Sequence, residues 1–131
     1  MTRDVYLDSS ALAKLVVPEP ETGTLGRYLA GYDRHVSSAL AITELGRAVA
    51  RRSTGDVGRA LEVLDRLVLV DVRRVILERA AGLAPATMRS LDAIHVASAI
   101  EIRDSIDAFV TYDARQGDVA RLHGFRVVAP A

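Results

Sequence analysis

The stretch "VYLDSSALAKLVV", residues 5–17, decides the fold. Three apolar or aromatic residues, Val5 to Leu7, run directly into Asp8, two serines follow, and an apolar stretch of helical character begins. A short strand without polar alternation that feeds a helix is the building unit of an α/β domain whose parallel sheet is covered on both faces. Pro18 and Pro20 stop the helix at about Val17. The acid at the junction has two readings. Its side chain caps the helix, or it is a working group, because sites in open α/β sheets lie at the carboxyl ends of the strands. Ser9 and Ser10 are both able to cap in its place, which leaves Asp8 free for chemistry.

Outward from this unit the pattern repeats. A second helix covers Glu21 to Tyr32, and "HVSS" at 35–38 is a short strand. Ser38 precedes a long helix, "ALAITELGRAVARRS", which Gly55 ends, and Asp56 caps the next, "VGRALEVLDRL". "VLVDV" at 68–72 is a third strand, and a helix from about Arg74 to Leu83 is closed by Pro85. Ser90 caps "LDAIHVASAIEIR", a helix apolar nearly all round and therefore buried on several sides. "AFVTY" at 108–112 is a fourth strand, "ARQGDVARLHG" a last helix ending at Gly124, and "FRVV" at 125–128 closes the chain. No repeat, low-complexity stretch or linker interrupts the series, so residues 1–131 form a single domain with a mostly parallel sheet.

Composition narrows the chemistry. Half the residues are hydrophobic, enough for a real core, and there is no cysteine, which excludes disulfides, thiolate chemistry and cysteine-type zinc sites. No apolar run approaches a membrane span. The acids Asp4 and Asp8 come too early for the apolar region of a signal peptide, so a soluble cytoplasmic protein is expected. The net charge of zero argues against binding nucleic acid by charge alone, but not against an enzyme that holds it locally. Of the seventeen basic residues only Lys14 is a lysine.

Four acids stand out, each with a structural alternative. Asp8 ends the first strand. Asp113 ends the fourth in "VTYDAR" and repeats the pattern of strand, acid, helix; it too has a capping alternative. Glu44 lies off the stripe of Ile42, Leu45 and Val49, beside the small residues Ala41 and Ala48, with room for a ligand or metal; otherwise it is a solvated glutamate paired with Arg47 or Arg51. Asp92 lies in the first turn of a helix, where the helix dipole alone favours an acid. Two come from strand ends and two from helices that a doubly wound fold can bring to the same edge. Carboxylates gathered there repel, and some stay protonated at neutral pH without compensation. A hard divalent cation removes that conflict, because Mg²⁺ prefers oxygen ligands and stabilises charge on a phosphoryl group. The pattern points to phosphodiester hydrolysis.

The segments "YLDSSALAKLVVPEPET", "SSALAITELGRAVAR", "LDAIHVASA" and "FVTYDARQ", in this order and across nearly the whole chain, resemble the PIN-domain family, in particular the VapC-type toxin ribonucleases of type II toxin–antitoxin systems. The resemblance implies a three-layer α/β/α sandwich with a central parallel sheet. It implies that Asp8, Glu44, Asp92 and Asp113 form the catalytic, metal-binding set for one or two Mg²⁺ or Mn²⁺ ions. It further implies RNA cleavage by metal-activated water leaving a 5′-phosphate and a 3′-hydroxyl, a VapB-like antitoxin that blocks the site, and a homodimer. Asp8 and Asp92 are the best direct ligands, since both are short and held at element ends. Glu44 binds directly or through water, and Asp113 holds a second metal or orients the attacking water.

Thr111 is a hydroxyl placed to position Asp8 or a water, and Ser10 one able to bond a carboxylate; as alternatives, Thr111 is an ordinary β-branched strand residue and Ser10 a cap. Asp118 is kept outside the set. His95, three residues after Asp92, is assigned a packing or hydrogen-bonding role, and His35 and His123 are incidental. Lys14, Arg47, Arg51 and Arg115 are candidate contacts for RNA phosphates, with solvated surface charge as the alternative. Two competing functions remain. One is an aspartyl-phosphate phosphotransfer domain, suggested by "YLDSS" but short of the later lysine such domains use. The other is a non-catalytic PIN-like binding module.

Overall fold

The computed structural model describes residues 3–52 and 54–131. Among these residues five strands form one parallel sheet in the order β3-β2-β1-β4-β5. They are β1 (Asp4–Leu7), β2 (Arg34–Ser38), β3 (Val68–Val70), β4 (Ile106–Val110) and β5 (Val127–Val128). The helices are α1 (Ser9–Val16), α2 (Thr22–Leu29), α3 (Leu40–Arg52), α4 (Val57–Asp65), α5 (Arg74–Ala81), α6 (Ser90–Glu101) and α7 (Ala114–Leu122). The expected final residue of α3, Ser53, lies outside the described residues.

Every residue of β1 is buried, as a strand covered on both faces requires. Its side chains alternate between two cores. Val5 and Leu7, with Ala108 and Val110 of β4, pack among Ala11 and Leu12 of α1, Leu25 of α2, Leu45 of α3 and Leu64 of α4. Tyr6 and Phe109 point the other way, to Val96 and Ala99 of α6 and Ala120 of α7. α5 covers α6 through Ile76, Ala80, Ala93 and Ala97. The result is a three-layer α/β/α sandwich. As expected, α6 is enclosed on several sides, with Ala93 and the run from His95 to Ala99 buried.

The strand order reverses between β1 and β4, which opens a crevice at their carboxyl ends. Asp8 and Asp113 follow these two strands.

Several local expectations are corrected. Asp8 is the N-cap of α1: its backbone is extended (φ −84°, ψ 179°) and its side chain accepts from the Ala11 amide. The Asp8 N–H bonds the Val110 carbonyl, continuing the ladder, so the helix starts at Ser9 and neither serine is its cap. Arg89, not Ser90, is the N-cap residue of α6, and Asp56 precedes α4 without a side-chain capping bond. The core stripe of α3 is Ala41, Leu45 and Val49, at helical spacing, while Ile42 is half exposed. β3 and β4 end two residues early, at Val70 and Val110, so Thr111 lies just past its strand.

Candidate active site

Asp8, Glu44, Asp92 and Asp113 line a single open cavity of about 300 Å³, together with Ser9, Ser10, Arg89, Ser90, Leu91 and His95. Four chain segments contribute the acids: the β1–α1 junction, α3, the first turn of α6 and the β4–α7 junction. Residues up to 105 positions apart thus converge because the sheet reverses its order there.

Asp8 forms the buried floor, only 4% exposed. Its Oδ1 accepts from the Ser10 hydroxyl (2.6 Å) and the Ala11 amide (3.1 Å), and its Oδ2 accepts from the Thr111 hydroxyl (2.5 Å). Burial pushes the pKa of this carboxyl up, and the nearby His95 and the three hydrogen bonds pull it back. Ser10 and Thr111 also accept from the backbone that follows β4. Their hydroxyl oxygens lie 3.3 Å apart, Ser10 Oγ accepts from the Tyr112 amide, and Thr111 Oγ1 accepts from the Asp113 amide. The β4–α7 junction is thereby fastened to the β1–α1 junction.

Glu44 is held from the opposite layer. The His95 ring donates through Nε2 to Glu44 Oε1 (2.5 Å), and the Tyr6 hydroxyl is 2.8 Å from His95 Nδ1. A carboxylate only accepts, so Nε2 carries a proton, and the Tyr6 hydroxyl holds the ring from its Nδ1 side. Burial pushes the pKa of the Tyr6 phenol well up, which keeps that hydroxyl protonated. The chain from β1 through α6 to α3 aims Glu44 into the cavity, so His95 has the hydrogen-bonding role the apolar helix suggested.

Asp92 and Asp113 share one cation. Arg89 donates through Nε to Asp92 Oδ2 (2.8 Å) and through Nη2 to Asp113 Oδ2 (3.0 Å). Asp113 also caps α7, accepting at Oδ1 from the Arg115 and Gln116 amides. Sequence reading missed Arg89. The available signal was its spacing of three residues before Asp92, at which side chains meet on one helix face.

The other candidates fall outside this cavity. The Lys14 ammonium is held between Glu19 and Glu21 and lies over the Tyr112 ring, so this lysine is part of an ion-pair cluster rather than an open phosphate contact. Arg47 and Arg51 are exposed on α3 and line no part of the cavity. Asp118 is exposed and close to Arg121. With Arg115 it borders a second cavity, of about 250 Å³, which shares Arg89 and Asp92 with the first. His35 and His123 bond backbone carbonyls elsewhere.

The donor set suits a hard divalent cation: it is all oxygen, and the guanidinium between Asp92 and Asp113 shows that this pair takes a positive charge. Among the described residues no group of three acidic or histidine side chains is already arranged to hold an ion. Charge compensation at the mouth comes instead from Arg89.

An all-parallel sandwich with acids gathered where the strand order reverses defines an α/β domain with an acidic site. The chain belongs to the PIN domain family, which it matches over residues 5–122. It is 41% identical over 127 residues to Ribonuclease VapC46 of Mycobacterium tuberculosis, covering 97% of this chain and 98% of that protein. Among solved structures, VapC20 of Mycobacterium tuberculosis, described as a Sarcin-Ricin loop cleaving toxin, superposes with a TM-score of 0.73 at 18% identity, over 96% of this chain and 99% of that one. VapBC2 of Rickettsia felis, bound to a DNA fragment from its promoter, gives 0.69 at 14% identity, over 98% and 99%. Both structures share the fold.

Proposed function

We propose that this chain is a divalent-metal-dependent endoribonuclease, the toxin of a VapBC-type toxin–antitoxin pair. The observation that carries this reading is the convergence of Asp8, Glu44, Asp92 and Asp113, from four separate segments, on one cavity at the reversal of strand order. The similarity to a curated ribonuclease over almost the full length supports the same reaction class.

Mg²⁺ or Mn²⁺, as one or two ions, fits this oxygen set, and when bound it supplies activation of water and neutralisation of charge on the phosphoryl group. The chain's own residues prepare for that. Ser10, Thr111 and the Ala11 amide hold both oxygens of Asp8 in place. His95, backed by Tyr6, fixes Glu44. Asp92 and Asp113 stand at the mouth on the first turn of α6 and the cap of α7. Cleavage leaves a 5′-phosphate and a 3′-hydroxyl. A VapB-like antitoxin and a second copy of the chain are the proposed protein partners.

The aspartyl-phosphate alternative is disfavoured by Lys14, whose ammonium is tied to Glu19 and Glu21 and is not among the cavity residues. The test is Asp8→Asn assayed on RNA in Mg²⁺. Losing a ligand should cost at least as much as losing one of its hydrogen-bonding partners, so cleavage is expected to fall by about 100-fold or more while the far-UV spectrum is unchanged. Full activity in this variant, or in the wild type with excess EDTA, overturns the reading.

A further inference from the structure

Arg89 touches two of the four acids, and they belong to different parts of the fold. Asp92 lies on α6, and Asp113 follows β4. One guanidinium therefore spans the mouth of the site, with separate nitrogens on the two carboxylates. It is half exposed, and it lies on the wall common to the main cavity and its neighbour. The side chain thus has open space beside it. Half-exposed ion pairs are weak and easily exchanged, whereas a divalent cation brings twice the charge and a preference for carboxylate oxygen.

We propose that Arg89 is an exchangeable counter-cation of this site: it balances Asp92 and Asp113 in the metal-free protein and gives up both carboxylates when a divalent cation loads. The inference rests on the metal-dependent reading above. It follows from linkage that each occupant weakens the other by the same factor. Arg89 keeps the metal-free mouth from self-repulsion and sets the metal concentration at which the site fills. Released, its guanidinium faces the neighbouring cavity, on the same wall as Arg115.

The test is calorimetric titration of Mn²⁺ into the wild type, Arg89→Ala, Arg89→Gln and Arg115→Ala. Both Arg89 variants are expected to bind Mn²⁺ about three- to tenfold more tightly, the range expected when two weak ion pairs no longer compete. Arg115→Ala should stay within about twofold, since its side chain makes no ion pair with either carboxylate among the described residues. In a parallel titration with diamagnetic Mg²⁺, the Arg89 side-chain Nε–H resonance should move as the site fills. Unchanged or weaker Mn²⁺ binding in both Arg89 variants, with the wild type binding, overturns the exchange and leaves the metal reading intact. Equal tightening in Arg115→Ala also overturns it, because general charge then accounts for the effect. No Mn²⁺ binding to any of the four removes the metal reading itself, and the inference with it.

Discussion

Two hydroxyls and one amide converge on Asp8, and both of its carboxylate oxygens are held. Thr111 contributes the shorter contact to Oδ2 and also accepts from the Asp113 amide, so it links two of the acids through one side chain. Thr111→Val keeps the shape and removes both interactions. Partners that orient metal-binding groups typically matter by about 10- to 100-fold in activity, while a net buried hydrogen bond contributes only about 1 kcal/mol to stability. Thr111→Val is therefore expected to lose cleavage by about 10- to 100-fold with a stability loss of about 1–3 kcal/mol, measured by single-turnover cleavage and urea denaturation. A variant that loses stability and keeps its rate would make Thr111 a packing residue only. His95 shows the same logic in another layer. Its ring is two-sided, bonded to the Tyr6 hydroxyl at Nδ1 and donating to Glu44 through Nε2, and neither partner is near it in sequence.

At the scale of elements, Asp8 both caps α1 and floors the cavity, and these roles separate by substitution. Asn caps a helix about as well as Asp, whereas Ala forfeits about 1 kcal/mol. Burial raises the pKa of Asp8 in the folded protein above its unfolded value. The folded state then holds its proton more firmly than the unfolded one. The stability linked to this group is fully present below the unfolded pKa and is lost as pH rises through the raised folded pKa. In metal-free buffer at neutral pH the wild type carries that penalty and Asp8→Asn does not. Thermal melts in EDTA should therefore place Asp8→Asn at or above the wild type near pH 7, with the gap closing as pH falls towards about 4, and Asp8→Ala below Asp8→Asn throughout. A wild type that becomes less stable relative to Asp8→Asn on acidification would reverse the sign and refute this account. The sequence showed that strand, acid and helix meet at this junction, but not which residue caps. Asp8, Ser9 and Ser10 are all good caps, and the choice is made by a long-range bond from the Asp8 amide to Val110. Arg89 escaped notice for a similar reason: its role depends on Asp113, 24 residues away, which only the folded sheet brings near.

For the whole molecule, zero net charge and an acidic site pose the question of how the RNA of the proposed reaction would be held. Most arginine charge near the opposite, amino end of the sheet is engaged: Arg3 and Arg126 on Asp107, and Arg34 on the buried Asp4. Arg73 and Arg79 share Glu101, and Arg52 joins the Glu19 cluster with Lys14. These bonds were not legible from composition, which counts charges without showing how they pair. Among the described residues, Arg89 and Arg115 are the arginines that border the two cavities at the acidic edge. Each phosphate contact on a single strand contributes roughly 0.7 to the slope of log K against log salt. With two contacts, RNA binding to Asp8→Asn at constant Mg²⁺ should show a slope of about −1.4, and Arg115→Ala should flatten it by about 0.7. Replacing Arg47 and Arg51 together with alanine should leave it unchanged, since neither lines the cavity. An Asp8→Asn slope of about −2.8 that falls by half when Arg47 and Arg51 are also replaced would instead run the RNA along α3, outside the mouth that Arg89 spans.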